Sequence, residues 1–195
     1  MPHFIRVLFY PFEFFSVRNA YLFGLVLLFF MSGIDFYVLK NFPGARLLSF
    51  TGEYGDIDKL KFINVLIEYF IVYISSTIVF YLLSVFLRAP SKNILKMGAF
   101  LLFASIPEFF TQTITCLVLS FATEAANATL FETQTLYALK VLGMVFGFWA
   151  SIIFYLAFKR SSGLSSFKAI LSFILGAFIL ASLFVYLSYF ARNFF

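Results

Sequence analysis

The sequence predicts an all-α membrane protein with five transmembrane helices in one bundle, preceded by a short interfacial segment. Of its 195 residues, 63% are hydrophobic and only 12% are charged, whereas a soluble domain has about 25% charged residues. A helix needs roughly 20 apolar residues to cross a bilayer. Five stretches meet that length, at residues 20–39, 62–87, 97–122, 136–158 and 169–190. We therefore expect residues 20–195 to form one transmembrane domain and residues 1–19 to form the N-terminal segment.

The N-terminal segment, residues 1–19, mixes aromatic and charged side chains. Arg6, Glu13 and Arg18 interrupt its apolar residues, and no small-residue cleavage site follows, so the pattern does not fit a signal peptide. Aromatic residues between charges are typical of a segment that lies on the membrane surface. Pro11 should divide this segment into two short pieces.

The loops between the predicted spans differ in charge, which indicates an orientation. Five spans put the two termini on opposite sides, with eight Lys and Arg residues on the N-terminal side and six on the other. Two short turns on the N-terminal side, residues 88–96 and 159–168, carry basic residues and no acidic ones. Because Lys and Arg concentrate in cytoplasmic loops, we expect a cytoplasmic N-terminus and an outside C-terminus.

The third predicted span, residues 97–122, is the most unusual of the five. Pro107 removes one backbone hydrogen bond from its middle, and Glu108 follows at about the depth of the bilayer midplane. Polar residues three and four positions apart share one face of this helix: Ser105, Glu108, Thr111, Gln112 and Thr115. Burial disfavours a charged carboxyl group. Glu108 is therefore either a neutral acid hydrogen-bonded to Gln112 or the freed carbonyl of Phe103, or a proton, cation or ligand site.

Three further charged residues lie near the outer boundary by helix counting. Asp35, Glu68 and Lys140 fall within about two turns of it, so Lys140 either pairs with one of the two acids or each side chain reaches the headgroups separately. Lys140 shares a helix face with Gly143 and Gly147. Small residues at this spacing let two helices approach closely, which predicts that this face packs against a neighbouring helix and favours the ion pair.

Composition argues against an enzyme. Cys116 is the only cysteine and His3 the only histidine, so the sequence offers no multi-cysteine or histidine metal site and no Ser–His pair within the spans. We expect no cofactor, no bound metal and no nucleic-acid partner. Asn127-Ala128-Thr129 fits an N-glycosylation acceptor on the outer loop, although it would have no such role in a bacterium.

Several short segments are similar to the Yip family, whose members span the membrane five times and are named for interaction with Rab-type GTPases. An aromatic segment at 11–15 precedes the first span, residues 103–107 resemble the family's aromatic-x-x-x-Pro, and residues 163–169 resemble a turn common in its bacterial branch. The family's eukaryotic members carry a long cytosolic N-terminal region and an acidic motif before the first span, and neither is present here. The resemblance therefore implies the prokaryotic branch and its plasma membrane, with Pro107 as the one residue carried over.

Two functional hypotheses follow. The first is a Yip-like, non-enzymatic protein that acts through protein partners, as an accessory to a membrane transport or trafficking complex. The second is a small-solute or ion carrier, or the substrate-binding subunit of a transporter, with a midplane site at Glu108. Transporters place their sites at broken helices, and the proline-broken third span with Glu108 therefore supports the second hypothesis.

Overall fold

A computed structural model describes residues 16–42, 61–124 and 129–194 of the chain. Every regular element in these ranges is an α-helix: α1 (Val17–Asn41), α2 (Phe62–Phe86), α3 (Ile94–Phe103), α4 (Ile106–Glu124), α5 (Thr129–Ser162) and α6 (Ser166–Phe194). Most of the N-terminal segment, the loop at 43–60 and the 127–129 glycosylation motif lie wholly or partly outside the described residues. Their predicted roles stay predictions.

The prediction of five spans is confirmed. Five helical stretches are long and apolar enough to cross a membrane, with α3 and α4 together forming the third, Ile94–Phe121. This span begins three residues before the predicted start. Asn93 caps α3 by accepting a hydrogen bond from the Lys96 amide at 3.0 Å, and the long Lys96 side chain can keep its ammonium group in the headgroup layer while its backbone continues the helix.

The third span is broken just before Pro107, as its sequence predicted. α3 ends at Phe103, where the Ala104 amide still donates to the carbonyls of Phe100 and Leu101, and α4 starts at Ile106. Pro107 is the second residue of α4. The first amides of a helix have no intrahelical acceptor, so the missing N–H of proline costs nothing at this position. Consequently Glu108 lies in the first turn of a helix that begins at the centre of a span.

The described residues fall into two compact units, and the first contains residues 16–24, 70–104 and 152–194. The ring of Phe80 on α2 lies at its centre, 4.9 Å from the ring of Phe158 on α5 and 5.8 Å from that of Phe173 on α6. A Cβ atom at Gly176 would lie 2.5 Å from the Phe80 ring. The missing side chain at Gly176 is therefore what lets α6 approach α2 so closely.

The second unit contains residues 25–42, 61–69, 105–124 and 129–151. Val38 of α1, Leu119 of α4 and Leu139 of α5 form a buried apolar cluster in it. The ring of Phe62, at the start of α2, contacts the rings of Phe29 and Phe36 edge-on, with centroids 5.4 and 6.0 Å away. These contacts hold α1, α2, α4 and α5 around the polar side chains described next.

Candidate intramembrane site

A chain of hydrogen bonds joins three helices inside the second unit. The Gln112 side-chain amide on α4 donates to the Tyr69 hydroxyl on α2, and that hydroxyl donates to Asp35 Oδ2 on α1 at 3.2 Å. Asp35 is only 6% exposed. Buried polar groups in a membrane must find partners within the protein, so this chain fixes the relative rotation of α1, α2 and α4. Together with Glu108 we call these residues the polar cluster: Asp35, Tyr69, Glu108 and Gln112.

Glu108 belongs to this cluster through electrostatics. Its carboxyl group interacts with Asp35 and with the Tyr69 hydroxyl, and it lies one helical turn before Gln112 on the same face of α4. The midpoint of the 28-residue span Ile94–Phe121 falls between Pro107 and Glu108. The structure therefore brings a second carboxyl group, that of Asp35, within electrostatic reach of the one that the sequence places at the midplane.

The predicted hydrogen bond between Glu108 and Gln112 is absent among the described residues. Gln112 gives its amide hydrogen to Tyr69, while its carbonyl oxygen Oε1 is buried with no partner in the described part of the chain. A carboxylic acid carries one donor, whereas a carboxylate carries none. Among the described residues none donates to Gln112 Oε1, so the neutral-acid interpretation of Glu108 stays a prediction.

Thr111 takes a different role from the cluster residues. Its hydroxyl donates to the carbonyl of Pro107 at 3.0 Å, within its own helix. The threonine is thus occupied in satisfying the backbone beside the helix break, and its hydroxyl proton is not available to the polar cluster.

The predicted ion pair of Lys140 receives no test. Asp35 accepts a hydrogen bond from the Tyr69 hydroxyl and interacts electrostatically with Glu68. Lys140 lies in α5, but its side chain is outside the described part of the structure, so pairing stays a prediction. Tyr69, by contrast, is not among the site residues that the sequence predicts. It is one of 11 tyrosines in the chain, and no local pattern distinguishes it from the others.

Gly143 and Gly147 are placed on an open face of α5. No described atom lies within 4 Å of a Cβ built at either glycine, whereas a Cβ at Gly98 would meet the Tyr73 hydroxyl at 2.6 Å. Met144 and Phe148, beside these two glycines, are 74% and 71% exposed. The helix that was predicted to pack on this face is therefore not found among the described residues.

The second unit also has a shallow apolar groove. Its volume is about 270 Å³, and it is lined by Phe29, Phe30, Gly33, Ile34, Tyr37, Phe62 and Cys116. None of the polar-cluster residues lines it, so it gives no access to Glu108. Among the described residues, no group of three or more His, Cys, Asp or Glu side chains could hold a metal ion.

Comparison with known proteins leaves the family open. No protein-family model matches the chain, and neither a curated protein nor a solved structure matches it. The resemblance to the Yip family rests on the sequence segments alone and stays a prediction.

Proposed function

We propose that this chain is a non-enzymatic membrane protein that acts by binding another membrane protein through the open face of α5. One observation carries the proposal: Gly143 and Gly147, at the spacing that brings helices together, have no described atom packed against them. We call this surface, with the flanking Met144 and Phe148, the α5 face.

The burial of the spans supports this assignment. Over an apolar 18-residue stretch of each span, 17% of the residues are buried in α5, compared with 22% in α6 and 50% in the span Ile94–Phe121. Within the first unit, Gly98 and Gly176 are crowded by side chains of α2, which is how a small residue looks when it serves packing inside a protein. The α5 face has small residues too, but no described side chain packs against them. This is what we expect of a helix-binding surface whose partner is not bound.

The partner belongs to the class that the Yip resemblance suggests. We infer an accessory role in a membrane transport or trafficking complex, in a prokaryotic plasma membrane, with the N-terminus in the cytoplasm. The other contacts of the protein would then be the lipids around its remaining spans.

A pull-down in mild detergent tests the proposal. The variants Gly143→Ile and Gly147→Ile fill the α5 face, and Gly33→Ile is the matched control because a Cβ at Gly33 of α1 also meets no atom within 4 Å. We expect a stoichiometric partner to be lost with the two α5 variants and kept with the control, while all three retain the melting temperature of the parent. A melting temperature lowered only by the α5 variants would show that this face packs against its own chain.

A carrier is the second candidate, and the polar cluster is the observation that favours it. Ionisable residues within spans mark ion and proton pathways. Asp35 interacts electrostatically with Glu108, which follows a helix break of the kind at which transporters place their sites. In proteoliposomes, Glu108→Gln should abolish solute or ion uptake and leave the fold intact. Thermal stabilisation of the lone protein by a solute would support this function. No stabilisation and no uptake would remove it.

A further inference from the structure

Two basic turns of the first unit are held against each other. The Ser91 amide, after α2, donates to the Ser162 carbonyl at the end of α5, at 3.0 Å. Beside this bond, the ring of Pro90 comes within 3.6 Å of the position a Cβ would occupy on Gly163. The two turns are therefore one structured surface, which we call the basic platform (residues 86–96 and 159–168).

The charge of the basic platform has one sign. Its two segments contain no Asp or Glu, and they carry Arg88, Lys92, Lys96, Lys159, Arg160 and Lys168. Lys159 donates to the Ser166 hydroxyl at 2.8 Å, and the Lys96 ammonium lies 6.0 Å from the Phe100 ring centroid. Arg88, Lys92 and Lys168 are exposed. Like charges in two adjoining turns repel one another, and a bound anion offsets that repulsion.

The backbone at Arg88 has a conformation that is uncommon for a residue other than glycine. Arg88 has φ 55°, the left-handed region, where it ends α2 with the Ala89 amide donating to the carbonyl of Ser84. Gly163 ends α5 in the same region, at φ 69°. Glycine is the residue that adopts this conformation without strain. Arginine at such a position is held in a conformation that its Cβ disfavours.

Exposed apolar side chains lie close to the cations in the sequence. Phe86 is 81% exposed, Leu95 67% and Phe167 77%, and all three lie in the platform segments, where the membrane-spanning helices end or begin. These side chains place the adjoining cations at the level of the lipid headgroups, where phosphate groups are the available anions.

We propose that the basic platform binds the phosphate groups of anionic phospholipids in the leaflet that it faces, with Arg88 as a principal contact. The planar guanidinium group of Arg88 donates two parallel hydrogen bonds to a phosphate. This surface is separate from the α5 face, and it would tie the protein to anionic lipid whether or not a protein partner is bound.

Lipid titration of the full-length protein in a neutral detergent tests the proposal. The probe is dioleoyl phosphatidylglycerol, with dioleoyl phosphatidylcholine and inorganic phosphate as separate arms, and bound lipid is counted by native mass spectrometry. We expect saturable binding of phosphatidylglycerol alone, weakened several-fold by Arg88→Gly and by Arg88→Gln. Because glycine also relieves the left-handed backbone, Arg88→Gly should raise the melting temperature, and Arg88→Gln should not.

Lys61→Gln is the control, since this exposed lysine precedes α2 whereas Arg88 follows it. Its affinity for phosphatidylglycerol should equal that of the parent. Unchanged affinity in both Arg88 variants, an equal loss in Lys61→Gln, or competition by inorganic phosphate at millimolar concentration would each overturn the proposal.

Discussion

Removing the hydroxyl oxygen of Tyr69 tests the polar cluster most directly. In Tyr69→Phe both hydrogen bonds of that oxygen disappear, the one accepted from Gln112 and the one donated to Asp35. Hydrogen bonds between membrane helices are worth about 0.6 kcal/mol on average and up to about 1.7 kcal/mol. Two of them therefore give an expected loss of about 1–3 kcal/mol in the free energy of unfolding.

The measurement is reversible unfolding in mixed micelles, followed by circular dichroism. Tyr37→Phe deletes the same atom from a tyrosine that is 46% exposed, and it should change the unfolding free energy by only a few tenths of a kcal/mol, as surface substitutions usually do. A second arm makes Tyr69→Phe in a Gln112→Leu background, where the Gln112 bond is already gone. The cost of Tyr69→Phe should then fall by about 0.6 kcal/mol or more.

Two outcomes would refute the reasoning. If Tyr69→Phe were no more destabilising than Tyr37→Phe, the hydrogen-bond chain would contribute nothing to stability. If its cost were the same with and without Gln112, the two side chains would not be coupled, and the rotation of α4 would have to be fixed by apolar contacts alone.

Three further predictions concern Glu108, Lys140 and the orientation. Glu108→Gln keeps a donor and an acceptor and should hardly change the free energy of unfolding, whereas Glu108→Leu should lower it by about 1–2 kcal/mol. An infrared carboxylate band at pH 7, assigned with Glu108→Gln, would contradict a neutral Glu108. Lys140→Met should destabilise the parent more than a Glu68→Gln, Asp35→Asn background, and equal effects would exclude the pairing. Reporters fused at the C-terminus and inside the 159–168 turn should report opposite sides of the membrane. Signals from one side would contradict five spans with this topology.

The sequence predicted what depends on one helix at a time. The five spans follow from apolar length, and the break before Pro107 follows from the chemistry of proline, so the position of Glu108 at the centre of its span was also predictable. The rotation of one helix against another was not predictable from the sequence. α2 is apolar on nearly every side, so its sequence does not indicate that Tyr69 is turned toward Asp35 and Gln112.

The sequence also does not predict which glycine faces are packed against another helix. Gly143 and Gly147 have the Gly-x-x-x-Gly spacing, yet no described atom packs on them, whereas Gly98 and Gly176 belong to no Gly-x-x-x-Gly pair and are closely packed by α2. A spacing motif identifies a helix face that permits close approach. Which face is used depends on the side chains of the opposing helix, such as Tyr73 and Phe80 here, and these lie far away in the sequence.

The break between α3 and α4 also bears on how the protein enters the membrane. The third span has the lowest mean hydropathy of the five, since it carries polar side chains such as Glu108 and Gln112. It is therefore the span least able to leave the translocon for lipid by itself. Tyr69, which accepts the hydrogen bond from Gln112, and Asp35, which accepts one from Tyr69, belong to the two spans that are synthesised before it. The order of synthesis thus provides the partner residues before the third span emerges. If the spans were rearranged in the sequence, the third span would remain at the translocon, even though every contact of the folded protein could still form.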